Sequence, residues 1–90
     1  MMRPEFGEMV RMASKGTGGL PLEFNWRGKR HRIRTIDRYH TIVRRGWNCV
    51  EQHRYFYLRT TRGMRCLLIQ DVSRGIWRMQ PVLKQRGGSI

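Results

Sequence analysis

Ninety residues suffice for one small domain and no more, and 19 basic against 6 acidic side chains give it a formal net charge of +13. Charge of that size opposes compaction and is relieved by a polyanion, so nucleic acid leads the partner classes and an anionic membrane surface follows. No apolar run reaches the roughly 18 residues of a membrane span, residues 1–19 lack a signal-peptide hydrophobic stretch, and Cys49 and Cys66 form no disulfide framework, so the expectation is a soluble cytoplasmic protein with reduced thiols.

Residues 1–19 end in Lys15-Gly16-Thr17-Gly18-Gly19, a linker composition, and read as a flexible tail. Phe6, Met9, Val10 and Ala13 fall at helical spacing, which leaves a short helix over 4–14 as the alternative, although a helix that short is marginal alone. From residue 20 the period becomes two. Leu20, Leu22, Phe24 and Trp26 share one face of a strand whose other face carries Glu23 and Asn25, and Arg27-Gly28-Lys29 turns the chain. His31, Ile33 and Thr35 then oppose Arg30, Arg32 and Arg34, until Ile36 breaks the alternation and marks a bulge or bend.

Residues 37–52 are the least legible and read as an extension of the second strand followed by a long crossing loop. Beyond them Phe56 and Leu58 alternate with Tyr55, Tyr57 and Arg59, Thr61-Arg62-Gly63 turns, Met64–Asp71 returns, Ser73-Arg74-Gly75 turns again, and Ile76–Leu83 is the last strand. Pro81 cannot donate to a ladder, so that strand is an edge or ends there. Residues 84–90 read as a basic flexible tail. The fold expected for 20–83 is mainly β: a five-stranded antiparallel meander curled into a small SH3-like or OB-like barrel.

Sixteen of the nineteen cations are arginine, which favours forked contacts to phosphate and stacking on bases. High genomic GC content explains that ratio equally well, though not the net charge. Arg27, Lys29, Arg30, Arg32, Arg34, Arg44 and Arg45 crowd one segment, and alternation spaces Arg30, Arg32 and Arg34 about 6–7 Å apart, close to the interval between successive phosphates. Tyr55, Tyr57 and Arg59 form a second stripe. The tyrosines either stack on bases from an exposed face or pack inside a strand buried on both sides.

Metal and catalytic chemistry find little support. Cys49 and His53 make one loose pair with no second, so no zinc site and no cofactor is expected. His31, His40 and His53 are the acid-base candidates for a metal-independent nuclease, but Glu23, Asp37, Glu51 and Asp71 show no paired arrangement, and no enzyme is expected.

Phe24-Asn25-Trp26-Arg27-Gly28 and Tyr55-Phe56-Tyr57-Leu58-Arg59-Thr60, with Gly63, Leu67, Asp71 and Trp77, resemble the Phe-x-Trp-Arg-Gly opening, Tyr-Phe-x-Val-Arg-Thr strand and closing Asp and Trp of a family of uncharacterised small bacterial β domains. Genes of that family often neighbour Y-family lesion-bypass DNA polymerases, so the resemblance implies the β fold and a role near DNA transactions. The chain departs from the pattern in His31, where an aromatic is usual, and in a shorter middle segment. The function expected is non-catalytic binding of DNA or RNA with low sequence specificity. The alternative is a protein-interaction module that docks an acidic partner such as a DNA-transaction enzyme.

Overall fold

The computed structural model describes residues 7–82, whose strands, all paired with antiparallel neighbours in chain order, close into one barrel. They are β1 (Glu8–Lys15), β2 (Pro21–Trp26), β3 (Lys29–Arg45), β4 (Val50–Thr60), β5 (Arg65–Asp71) and β6 (Ile76–Pro81), with one 3-10 turn at Thr17–Gly19. Among the described residues no helix is long and apolar enough to cross a membrane.

The mainly β small barrel is as the sequence indicates, but it has six strands where five were expected. The extra strand is β1, inside the segment read as a tail: it pairs with β2 on one side and β6 on the other. Only Val10 and Met12 supply β1 with apolar side chains packed on the core, and Met9, which gave the segment its helical spacing, is 62% exposed. Closure gives the outer edges of β2 and β6 a partner. Gly7, at φ +96°, permits that approach, because a Cβ there would lie 2.8 Å from the Met79 carbonyl oxygen. The tail read at 84–90 lies outside the described residues, as do the first residues of the alternative helix.

Glu8 ties β1 to the β2–β3 turn. Its carboxylate accepts the Trp26 indole N–H and two guanidinium N–H groups of Arg27, at 3.1 and 2.6 Å. The Arg27 bond leads and the Trp26 bond follows in holding the Glu8 carboxyl below its ordinary range. Arg27 and Gly28 both have positive φ, 53° and 78°, as a two-residue hairpin that follows the sheet twist requires. An arginine resists that backbone by roughly 1–2 kcal/mol. The Glu8 ion pair and the packing of its guanidinium 4.6 Å above the Trp26 ring offset the strain.

Inside the barrel Phe24, Phe56, Leu58, Cys66, Leu68, Trp77 and Met79 form the core, with Ile33, Ile36 and Met64 packed at its margin. Phe56 stacks between Tyr39 at 5.0 Å and Trp77 at 5.8 Å. His31 packs as an aromatic: it is buried, stacked 5.3 Å from Phe24, and neither ring nitrogen has a hydrogen-bond partner among the described residues. Pro21 is buried while Leu20 and Leu22 are exposed, contrary to the alternation read for β2. A register shift leaves Leu22 unpaired opposite β1 and inverts the parity beyond it.

β3 departs most from its expected form. Its register with β4 runs Ile33↔Thr60, Thr35↔Arg59, Ile36↔Leu58, Arg38↔Tyr57, so Arg34 and Asp37 are extra residues at two bulges. Each bulge inverts the alternation, and the residues packed on the core fall at 33, 36 and 39 instead of every second position. Residues 37–52 contain no long loop: β3 continues to Arg45, Gly46–Cys49 turn tightly, and β4 begins at Val50. Beyond the last rung that β4 shares with β5, His53↔Asp71, three further rungs join β3 to β4 with no third strand in the ladder, although Val72 and Ser73 of the β5–β6 turn still bond the Gln52 and Val50 carbonyls. They form a projecting two-stranded arm about 10 Å long at a rise of about 3.3 Å per residue.

The meander therefore has two unlike ends. The β2–β3 and β4–β5 turns, the start of β1 and the end of β6 lie at one, the turn end. The β1–β2 loop, the arm and the β5–β6 turn lie at the other, the arm end.

Candidate nucleic-acid interface

At the turn end, a cleft of about 660 Å³ opens between β3, β4, β5 and the last residues of β6, lined by Arg34, Arg59, Arg65, Thr35, Thr60 and Met64 among others. The local sequence explains the arrangement. Arg34 is the first bulge residue of β3, displaced from the ladder; Arg59 and Arg65 face each other as the last rung of β4 and β5. Asp37, the second bulge residue, receives two hydrogen bonds from Arg59, at 3.1 and 3.2 Å, and one from the Thr35 hydroxyl at 3.2 Å. The Arg59 bonds hold the Asp37 carboxyl below its ordinary range, with Thr35 and the charge of Arg65 adding to them. Among the described residues, Arg34 and Arg65 have no carboxylate partner.

Cations continue outward from the cleft. The Arg32 carbonyl accepts the Thr61 N–H at 2.9 Å, which brings β3 alongside the β4–β5 turn that carries Arg62 at its tip. Arg32 and Arg30 share Glu23, at 3.2 and 4.0 Å, with both guanidiniums about two-thirds exposed. Lys29 is exposed beside them. Arg62 and Lys29 also act on His31: burial is the main cause that pushes its imidazole below the ordinary histidine value, and the charges of Arg62 and then Lys29 add to it.

The sequence-derived candidates thus divide. Arg30 and Arg32 share the exposed face expected of them, but the bulge after Ile33 removes Arg34 from a regular stripe and delivers it to the cleft with Arg59. Arg27 is engaged by Glu8, and Arg44 and Arg45 stand at the arm end. Tyr55 is corrected: it is 5% exposed, packed with Leu67 and Ile69 and stacked at 5.0 Å under His40, so its ring offers no open platform. β4 and β5 are buried on both faces, the second of the two dispositions read for the tyrosines. Tyr57 is half-buried with the Arg38 guanidinium 5.8 Å from its ring centre. Arg62 and Arg65 are not among the individual residues singled out from the sequence, although the expectation that turn arginines grip phosphate covers Arg62. Arg62 stands in a recognisable Thr-Arg-Gly turn, whereas nothing local marks Arg65.

The arm end differs chemically. His53 Nε2 and Arg74 Nε approach Asp71 Oδ2 at 3.6 and 3.7 Å, and these residues line a smaller cavity of about 210 Å³ with Glu51, Ser73 and Arg78. Two carboxylates there balance two guanidiniums, so that cavity is not an anion site. The three histidines lie apart, in the core, over Tyr55 and beside Asp71. Among the described residues no group of three or more His, Cys, Asp or Glu comes together as metal ligands. No protein-family model, curated protein or solved structure matches this chain.

Proposed function

We propose that this domain binds nucleic acid through the turn end of its barrel, without base-edge readout and without catalysing a reaction. The supporting observation is the cleft in which Arg34 and Arg65, without a carboxylate partner among the described residues, converge with Arg59. Guanidiniums that converge from rigid strands match the oxygens of a phosphate. A polymer fits better than a single small anion, because Arg30, Arg32, Lys29 and Arg62 extend the cationic surface beyond the cleft, against Glu23 and Asp37 among the described residues, Glu8 being taken up by Arg27. Those two carboxylates orient guanidiniums and leave the surface positive. The resemblance to domains encoded beside lesion-bypass polymerases leans the reading toward DNA.

The experiment is a titration of the domain with single-stranded and duplex DNA and RNA at several salt concentrations. Arg34, Arg62 and Arg65 are changed together to Gln, and a control changes Lys15, Arg74 and Arg78, which removes the same charge away from the cleft. Each phosphate contact adds roughly 0.7–0.9 to the slope of log affinity against log salt, so the first variant should lose about two to three units and the control much less. Equal losses would remove the turn end as the binding face.

A second reading has its own observation. Among the described residues β2 pairs with β3 only from Lys29 to Arg32, so the rest of that β3 edge is open to strand addition by an acidic protein segment. If the parent domain binds no nucleic acid near physiological salt, that reading takes its place.

A further inference from the structure

Trp47 sits at the tip of the arm with 97% of its surface exposed. The Gly46 N–H donates to the Cys49 carbonyl at 2.8 Å and closes a loop in which only Trp47 and Asn48 are unpaired. Tight loops favour Asn, Gly, Asp, Pro and Ser, each for a backbone reason that tryptophan does not share. An indole there adds nothing to the core and adds a hazard for solubility. Two arginines, Arg44 and Arg45, precede it at the end of β3, on opposite faces of the ribbon, and neither is ion-paired among the described residues, although Glu51 faces Arg44 across the ladder.

The arm is also held firmly at its base. The Arg54 guanidinium lies 5.4 Å from the Tyr39 ring centre and 5.3 Å from that of Phe56, and it donates to the Tyr39 hydroxyl and to Gln70, each at 3.2 Å. The Val72 N–H bonds the Gln52 carbonyl at 3.0 Å, and the Ser73 hydroxyl reaches the Val50 carbonyl at 3.5 Å. A ribbon so anchored presents its tip in a fixed direction and binds with little loss of freedom.

We infer that Trp47 is a stacking platform for an unpaired nucleic-acid base, with Arg44 and Arg45 on the adjoining phosphates. The inference rests on the nucleic-acid reading and adds to it a preference for single strands and a second point of grip, at the opposite end of the barrel from the cleft. An aromatic face beside cations suits any base, since each has a π surface, and the attraction survives salt that screens phosphate contacts. A second copy of the chain is the competing occupant. An arm whose tip is flanked by arginines repels its like, which favours the polyanion.

The test uses the full chain, with Trp47→Ala and Trp47→Phe, and mixed-sequence single strands of DNA and of RNA beside a fully paired duplex. Thermal unfolding should be the same for all three proteins, because the side chain packs on none of the described residues. Near 0.5 M salt the Ala variant should bind single strands about 5- to 150-fold more weakly, with an unchanged salt slope, and the Phe variant should recover most of the loss. Duplex affinity should change by less than about twofold. Indole emission of the parent should be quenched at saturation, and that of Trp47→Phe, which keeps Trp26 and Trp77, should not. Equal affinity of parent and Trp47→Ala, or a dimer in sedimentation that Trp47→Ala dissolves, overturns the inference and leaves the cleft reading standing. If the parent binds no strand even at low salt, both fall together.

Discussion

The two ends of the barrel carry cations for different structural reasons. At the turn end the arginines stand on strands that also build the core, and two bulges in β3 bring Arg34 to the cleft and Asp37 to Arg59. At the arm end the backbone leaves the core altogether, and Arg44, Arg45 and Trp47 stand on a ribbon that contributes no buried side chain beyond His53. The first arrangement fixes charge against a rigid wall. The second offers an aromatic face on a projection, with two guanidiniums that have no ion pair among the described residues. Barrel and arm should therefore separate in any measurement that distinguishes buried from projecting structure, and the proteins described next are ways to make them do so.

The widest separation is expected between the thiols. Cys66 is buried in the core, where loss of solvent pushes its thiol up to about 12, while Cys49 is exposed at the tip. Three pH units leave Cys66 with about a thousandth of the thiolate of an ordinary cysteine, and a labelling reagent also needs the barrel to open before it can reach the sulfur. A disulfide reagent near pH 8 should modify one thiol per chain quickly and the second only in denaturant. Comparable rates would mean that β5 is not locked in a closed barrel.

Truncation of side chains should come next. Phe56 fills the space between Tyr39 and Trp77, and Phe56→Ala should cost about 3–5 kcal/mol of unfolding free energy in a urea titration. Val43→Ala, on the arm, should cost less than about 0.5 kcal/mol. Similar costs at the two positions would show that the arm packs against something in solution.

What the sequence revealed and concealed follows the same division. Alternation was clear where strands face water on one side and core on the other, and turns at Gly28, Gly63 and Gly75, all at positive φ, were legible from glycine alone. β1 was concealed because just two of its residues, Val10 and Met12, are apolar and packed on the core, and because its partners are β2 and the distant β6. In β3 the two bulges convert a period of two into spacings of three, so the break at Ile36 was visible as a bulge or bend while the length of the strand beyond it, and the tight turn that replaces the expected crossing loop, were not. The tyrosine stripe was located correctly in sequence, yet its exposure depends on what covers the outer face of β4 and β5, a tertiary property. Trp47 was visible as a residue, but no local pattern separates an exposed indole at a hairpin tip from one buried under a loop.

Removal of the arm sharpens the comparison at a smaller cost. Replacing Val43–Gln52 by Asn-Gly joins Ile42 to His53, which already face each other, through a turn suited to a two-residue hairpin. The change discards the Val72–Gln52 and Ser73–Val50 hydrogen bonds, about 1 kcal/mol together after exchange with water, or a fall of less than roughly 8 °C in Tm. The shortened protein should keep the salt slope that the cleft supplies and lose the single-strand affinity that survives at high salt. Loss of the slope as well would move the phosphate contacts from the cleft to the arm.

The smallest effect expected is a pH dependence that reads the turn end from within. His31 is buried without a partner for either nitrogen, and burial, then Arg62, then Lys29 hold its folded value below the ordinary 6.5. A depressed folded value means that the unfolded chain takes up the proton first. The stabilisation is complete above about 6.5 and drains away as pH falls from there through the folded value. Glu8 and Asp37 are depressed too, but from 4.5 and 3.8, so their share is lost only at lower pH and the two windows are distinct. His31→Phe, which keeps an aromatic against Phe24 and Trp26, should flatten the part of the stability curve that begins to fall below about pH 6.5 and leave the steeper acid limb in place. Two of the three causes acting on His31 are cations of the proposed interface. A phosphate backbone seated against Arg62 and Lys29 should cancel their repulsion and raise the His31 titration midpoint, as followed by its imidazole NMR signals with and without saturating oligonucleotide. Burial is unaffected by the ligand, so the midpoint should rise only part of the way to 6.5. A His31 midpoint that does not move while oligonucleotide binds would place the ligand elsewhere on the barrel.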